Sequence, residues 1–313
     1  MAQKVRHLLS LADLTTQDIW RLIHAARSLK GVRSNALGGR VIALLFQKPS
    51  MRTRVSFEVA MYQLGGRAIY LSQAEVGLGT REAAEDIARV LSRYVDAIAG
   101  RTFLHKDLET LARYASVPVI NGLSDAEHPC QALADLQTIY EKKGALKGLT
   151  IAFLGDGNNC AASLALGATL VGANFRIASP NGYWLRGDIL GRARDYAQRT
   201  GAQVLCTDEP TVAVEGADVV YTDVWTSMGQ ESEAERRRST FASYQVTPKL
   251  LAKARPNALF MHPLPAHSGE EVDVGLLEHP QSVVYDQAEN RLHIQKAILL
   301  EYLGGASSEV GLS

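Results

Sequence analysis

The feature that most constrains this chain is a rhythm of short apolar runs alternating with helix-like segments. VIALLF (41–46), AIYL (68–71), DAIAG (96–100) and VPVING (117–122) are continuously apolar and too short for helices. That is the pattern of strands covered on both faces. Segments near 53–64, 82–93 and 107–115 lie between them and carry helical spacing. Parallel strands need a crossover, usually a helix, so this order predicts a parallel sheet with helices on its faces. A helix is also expected ahead of the series, from Thr16 as its cap to about Leu29. Its apolar face is Ile19, Leu22, Ile23 and Ala26.

A helix from Pro129 to Lys143, ended by Gly144, leads into a second series. LTIAFLG (149–155), FRIASP (175–180), QVLCTD (203–208), DVVYTDVW (218–225) and ALFMHP (258–263) read as strands, and VVYDQ (283–287) as one more. An apolar helix over 290–303 follows with no strand after it. The expected fold class is therefore α/β. Two domains are predicted, each a parallel sheet flanked by helices, with the C-terminal helix crossing back to the first. The boundaries expected are 1–147 with 289–313 for the first domain and 148–288 for the second. A chain of 313 residues, 46% of them apolar, is long enough for two such cores.

Charge and cysteine usage narrow the function. Lys and Arg total 33 and Asp and Glu total 33, so there is no basic excess to release counterions from nucleic acid. The three cysteines, Cys130, Cys160 and Cys206, form no C-x-x-C pair and favour a reducing compartment. MAQKVRHLLSLADL is a poor secretory signal, and no apolar run is long enough to span a membrane. A cytoplasmic protein with no nucleic-acid or membrane partner is expected.

The polar motifs fall at strand C-termini, where parallel α/β sheets bind ligands. KPSMRTR (48–54) opens a helix with Ser50, Arg52, Thr53 and Arg54. Free backbone N–H groups, the helix dipole and guanidinium forks make such a start an anion site. Read alone, it is equally a helix start with solvated arginines. HPCQ (128–131) puts His128 and Gln131 on a first helical turn, where each offers a donor to an oxygen; alone it reads more readily as an ordinary cap region. Arg101 ends the strand over 96–100. GDGNN (155–159) lacks the third glycine of a dinucleotide fingerprint, because Cys160 stands there, and no acid ends the next strand. Its asparagines suit a small polar ligand, or simply a tight turn. DVWTSMGQE (223–231) offers Asp223 to a cationic amine, or as a helix cap. HPLPAH (262–267) is a stiff turn that presents carbonyls.

Together, in this order, these motifs resemble the aspartate/ornithine carbamoyltransferase family, and its ornithine branch in particular. The resemblance spans nearly the whole chain, to AENR (288–291). The family's S-T-R-T-R is similar to Ser50-Met51-Arg52-Thr53-Arg54, and its H-P-x-Q to His128–Gln131. The resemblance implies that carbamoyl phosphate and L-ornithine are the substrates, with citrulline and phosphate as products, in arginine metabolism. It implies that Ser50, Met51, Arg52, Thr53, Arg101, His128, Gln131 and Arg291 hold carbamoyl phosphate, with Arg52, Arg101 and His128 catalytic. It implies that Asn159, Asp223, Ser227, Met228, Pro263 and Leu264 hold ornithine. No metal and no other cofactor is implied, and the family's catalytic unit is a homotrimer. Three positions depart from the pattern. Pro263 stands where the ornithine branch usually has Cys, and H-P-L-P is the aspartate-branch form. Met51 replaces Thr. Gly77 occupies a loop position where a neighbouring subunit usually lends a polar side chain, with Arg81 nearby as a substitute. The alternatives are a carbamoyltransferase for another amine or an N-acylated ornithine, and a non-catalytic binding protein on the same fold.

Overall fold

A computed structural model describes residues 5–227 and 229–304. The chain divides into two compact units. One runs through Gln137 and takes in residues from Glu289 onward; the other spans Thr138–Ala288.

In the first unit, β1 (Val41–Phe46), β2 (Arg67–Ser72), β3 (Ala97–Arg101) and β4 (Val119–Leu123) form a parallel sheet in the order β2-β1-β3-β4. Leu8 adds an N-terminal rung, donating from N to the Val119 carbonyl at 2.9 Å and accepting from the Asn121 N at 2.8 Å. Ala43, Leu45 and Ile98 pack with Ile87, Leu108 and Leu111 to form a buried cluster between strands and helices. In the second unit, β5 (Thr150–Leu154), β6 (Asn174–Ala178), β7 (Val204–Thr207), β8 (Val219–Thr222) and β9 (Leu259–Met261) form a parallel sheet in the order β7-β6-β5-β8-β9.

Both orders contain a switch point. In the first unit the chain leaves β1 for one side and returns on the other, so the loops after β1 and β3 diverge. In the second, the same happens at β5 and β8. A crevice opens at the carboxyl ends of such strand pairs. The ladders fix which residues border each one: Phe46 pairs with Arg101, and Leu154 with Thr222.

The all-parallel α/β architecture matches the expectation from sequence. Two local readings are corrected. The first helix, Thr16–Ser28, is capped by Thr15, not Thr16. Thr15 accepts from the Asp18 N at 3.1 Å, and the Asp18 carboxylate accepts in return from the Thr15 N at 2.9 Å. This reciprocal box outweighs a cap one residue later. VVYDQ (283–287) is not a strand. Pairing with β9 stops at Val283, whose N donates to the Phe260 carbonyl at 3.0 Å, and the helix Val284–Leu303 starts at once. The Gln287 N already bonds the Val283 carbonyl at 2.9 Å.

Lys296 is fully buried in the first unit. Its ammonium donates to the carbonyls of Leu29 (2.8 Å) and Val32 (2.5 Å) and to Gln63 Oε1 (3.1 Å). It thereby ties the C-terminal helix to the end of the helix Met51–Gln63 without a carboxylate. Among the described residues, no helix is long and apolar enough to cross a membrane.

Gly157 lies against the backbone of the 183–185 loop, donating to the Tyr183 carbonyl at 2.8 Å. A Cβ there would stand 2.4 Å from the Leu185 N and 2.5 Å from the Trp184 carbonyl carbon. Backbone cannot swing aside as a side chain can. Gly157→Ala is expected to destabilise the second unit by about 1–3 kcal/mol, the usual range for overpacking. A lowered thermal midpoint checks this.

Candidate active site

The loop after β1 ends at Ser50, which caps the helix Met51–Gln63. Its backbone is extended (φ −160°, ψ 114°) and its Oγ accepts from the Thr53 N at 3.2 Å. The fully buried Thr53 Oγ1 accepts from Arg291 Nη2 at 3.0 Å. Arg291 Nη1 donates to Gln131 Oε1 at 2.6 Å, and Gln131 Nε2 donates to Asp135 Oδ1 at 2.8 Å. The structure thus brings together Ser50, Thr53, Gln131 and Arg291 from three distant segments. Gln131 meets Arg291 through its carbonyl and keeps one amide proton beyond the bond to Asp135. Met51 is 71% exposed, so its side chain takes no part in this network.

Arg101 closes β3 and is buried, as is His128. Burial holds the His128 imidazole well below its usual value, and the charges of Arg291, Arg101 and Arg52 add to the effect. His128 is therefore neutral: it offers a hydrogen bond, not a positive charge. Three guanidiniums and a neutral imidazole make an environment suited to an anion with a polarisable oxygen. Cys130 is no nucleophile here. Burial pushes its thiol up to about 11, and its Sγ lies 3.4 Å from the Asn121 carbonyl.

Residues outside the motifs set the turn before His128. Glu127 accepts from Ser10 Oγ and from the Leu11 N (3.1 Å), while the Ser124 N donates to the Glu127 carbonyl at 3.0 Å. Nothing local in the sequence marks the Glu127 carboxylate, because Ser10 and Leu11 lie more than a hundred residues away. Gly77 has φ 67° and ends the short helix Gln73–Val76. A Cβ there would stand 2.6 Å from the Arg81 Cβ, so the backbone itself accounts for glycine. The Arg81 guanidinium donates to the Glu75 carbonyl of its own chain.

In the second unit, the residue that ties the GDGNN loop is Asn158. It caps the helix Asn159–Leu170, its Oδ1 accepting from the N of Cys160 (3.0 Å) and Ala161 (3.1 Å). Its Nδ2 donates to Asp223 Oδ2 at 2.8 Å, while Asp223 Oδ1 accepts from the Val224 N at 2.8 Å. The sequence offers both asparagines of GDGNN to a ligand or a turn; Asn158 instead spends its amide on the helix start and Asp223, in keeping with Asn as a preferred N-cap residue. Asn159, the first residue of that helix, is half-buried. The Ser227 N donates to Gln230 Oε1 at 3.1 Å. Met228 lies outside the described residues.

The HPLP turn is held from three sides. The His262 N donates to Gln287 Oε1 at 2.9 Å, and the Leu264 N donates to His262 Nδ1 at 2.9 Å. The second bond requires an unprotonated Nδ1, which places the proton on Nε2, 3.2 Å from Glu271 Oε1. Burial opposes the Glu271 charge, but hydrogen bonds from His262 and the His267 N outweigh it and hold this carboxyl below its usual range. Pro263 is buried, and Leu264 takes a left-handed conformation (φ 58°).

Two family models match the chain. The aspartate/ornithine carbamoyltransferase carbamoyl-P binding domain matches residues 6–141, and the Asp/Orn binding domain of the same family matches residues 147–302. The ornithine carbamoyltransferase of Pyrococcus abyssi is 52% identical over 310 residues, covering 97% of this chain and 98% of that protein. That of Hyperthermus butylicus is 54% identical over 302 residues, covering 94% and 96%. The solved structure of ornithine carbamoyltransferase from Pyrococcus furiosus superposes with a TM-score of 0.93 at 51% identity, covering 96% of this chain and 98% of that one.

The neutrality of His128 has a measurable sign. Its folded value lies below the usual 6.5, so the unfolded chain binds the proton more readily. The stabilisation is whole above about pH 6.5 and is lost as pH falls through the folded value. His128→Asn is expected to flatten the loss of stability below pH 6.5, measured as thermal midpoint against pH.

Proposed function

The chain belongs to the aspartate/ornithine carbamoyltransferase family, and on that premise we propose that it transfers the carbamoyl group of carbamoyl phosphate to the δ-amine of L-ornithine, giving L-citrulline and phosphate. The observation that carries this reading is the grouping of Arg52, Arg101 and Arg291 around the neutral, buried His128. A dianionic phosphate calls for the guanidiniums and the free amides of a helix start. A carbonyl that becomes an oxyanion calls for donors already in place.

In this reading the first unit takes carbamoyl phosphate. Ser50, Met51 through its backbone, Arg52, Thr53 and Arg291 hold the phosphate. Arg101, His128 and Gln131 face the carbamoyl group. The second unit takes ornithine through Asn159, Asp223, Ser227, Met228 and the Leu264 carbonyl beside Pro263. The neutral amine attacks the carbonyl carbon, and the tetrahedral oxyanion is stabilised by Arg101, Thr53 and His128. The C–O bond to phosphate then breaks, the electron pair leaves with the phosphate against Arg52, and the nitrogen sheds its proton to it. The amine's solution pKa is near that of lysine, roughly 10.4, so the site must favour its neutral form. A carboxylate beside the amine would do the opposite, which makes Asp223 the partner of the α-ammonium. Positioning and electrostatics suffice for this reaction. The active assembly in this reading is a cytoplasmic homotrimer or a multiple of it, which light scattering on the eluted protein measures.

Pro263 in place of the branch's usual Cys favours one second reading, an acceptor other than free ornithine. The test is citrulline formation from carbamoyl phosphate and L-ornithine, with putrescine, L-aspartate, N-acetylornithine and N-succinylornithine run in parallel. Turnover with ornithine alone is expected. Preference for another acceptor keeps the chemistry and moves the specificity; silence with all five leaves a non-catalytic binding protein. Arg52→Ala is expected to lower kcat on the order of a hundredfold or more with the fold intact, the scale of losing one oxyanion-site donor. Full activity in Arg52→Ala would sink the phosphate assignment.

A further inference from the structure

Arg101 stands where the first sheet stops being regular. β1 and β3 stay in register to their last pair, Phe46 with Arg101. The ladder between β3 and β4 shifts at that point: Gly100 pairs with Asn121 but Arg101 with Leu123, so Gly122 is the extra residue of a bulge. A Cβ on Gly122 would stand 3.1 Å from the Gly100 carbonyl oxygen, which leaves little room for a side chain. A bulge bends the strand and re-aims the side chains around it. The pleat alone therefore does not set the direction of Arg101.

Gln47 falls between the strand run VIALLF and the motif KPSMRTR, and belongs to neither. It is half-buried. Its N donates to the Arg101 carbonyl at 2.8 Å, and its Oε1 accepts from the Phe103 N at 2.7 Å. These bonds carry the β1/β3 pairing past the end of the sheet, with a side-chain oxygen in place of the next backbone carbonyl. Between them, the Thr102 N donates to the Leu123 carbonyl at 3.0 Å. The nitrogen of the same amide serves other segments. Gln47 Nε2 donates to the Leu78 carbonyl at 3.2 Å, and the amide also bonds the Asp107 carboxylate.

We infer that the side-chain oxygen of Gln47 is a positioning group for the reaction: by holding the Phe103 N it fixes the backbone after Arg101, and so the approach of the Arg101 guanidinium to the carbamoyl oxygen. This rests on the carbamoyl-transfer reading above. Two near-isosteres separate the ends of the amide. Glutamate keeps the acceptor and loses the donor, whereas methionine loses both. Glutamate also sets a second carboxylate beside Asp107. Both substitutions are therefore expected to lower the melting temperature, but only Gln47→Met removes the bond to Phe103.

The test is steady-state carbamoyl transfer by Gln47→Met and Gln47→Glu beside wild type, to the acceptor that wild type uses, with thermal melts to establish folding. Gln47→Met is expected to lower kcat about tenfold or more and to leave the KM for the amine within about twofold, since the second unit takes the amine in that reading. Gln47→Glu is expected to keep kcat within about threefold of wild type although it too melts lower. Activity that follows the acceptor oxygen, and not the melting temperature, is a split that a merely structural role would not give. A wild-type kcat in folded Gln47→Met overturns the inference. So does a loss of kcat in Gln47→Glu equal to that in Gln47→Met, and so does a rise in the amine KM as large as the fall in kcat. If Gln47→Met does not fold, Gln47→Ala is measured in its place; if no variant without the oxygen folds, or if Gln47→Glu does not, Gln47 is a structural residue and the inference falls. A wild-type protein that carbamoylates none of the five acceptors removes the carbamoyl-transfer reading and this inference with it; wild-type turnover beside an unmoved kcat removes the inference alone.

Discussion

Everything at the candidate site depends on a constraint of parallel sheets. All strands point the same way, so every strand's carboxyl end lies on one edge, and a change in winding direction leaves a crevice there. The orders β2-β1-β3-β4 and β7-β6-β5-β8-β9 each contain one such change. KPSMRT lies in the loop after β1 and Arg101 closes β3; GDGNN and Asp223 follow β5 and β8. Neither group is contiguous in sequence, and the sheet register alone makes them neighbours. Helix starts then supply the donors. Ser50 and Asn158 cap helices that begin directly after these strands, so each helix's amino-terminal N–H groups lie at the carboxyl edge of its own sheet.

The two units use this geometry with opposite charge. Around His128 the local charges are guanidiniums, and the imidazole cannot add to them because burial and those same charges hold it neutral. An extra positive charge would be repelled, so the useful property of His128 is a fixed neutral donor. In the second unit the loop after β8 carries the buried Asp223, while Asp156 is paired with Arg237. One anion left uncancelled is enough to select an ammonium, and two would compete for protons. The proposed division of labour between an anion-binding and a cation-binding half rests on which charges are internally satisfied, not on the formal count, which is zero for the whole chain.

What could be read from sequence and what could not separate along the same line. Strand runs such as VIALLF and LTIAFLG are legible because both faces are buried and the apolar run is continuous. The motif residues are legible because helix starts and strand ends have local signatures. VVYDQ misled because a β-branched pair looks the same in a buried strand and in the buried first turn of a helix; only the end of the ladder at Val283 distinguishes them. Thr15 and Thr16 differ as caps only through the reach of Asp18. Glu127, Arg237 and Lys296 left no trace, since each depends on partners remote in sequence or on backbone carbonyls that any residue carries, and Glu271 left none because its bonds to His262 and the His267 N exist only in the folded turn. A buried charged residue outside a motif is therefore visible only once the chain is folded.

The HPLP turn shows how a partner outside the motif changes the chemistry of a legible motif. Pro263 has neither an N–H nor a thiol, and the Leu264 N–H is spent on His262 Nδ1. Glu271 holds the proton of His262 on the opposite nitrogen, and Gln287 takes the His262 N–H. The His262 and Leu264 donors are thus occupied inside the protein, and the left-handed Leu264 contributes its carbonyl as an acceptor. A carbonyl can orient an amine but cannot take its proton at neutral pH. In the proposed reaction the neutral amine must then come from desolvation and from the distance kept between the δ-nitrogen and Asp223, rather than from a base in the turn. In that reading the Cys-to-Pro difference moves the task from a side chain to the placement of the substrate by the amino-acid half.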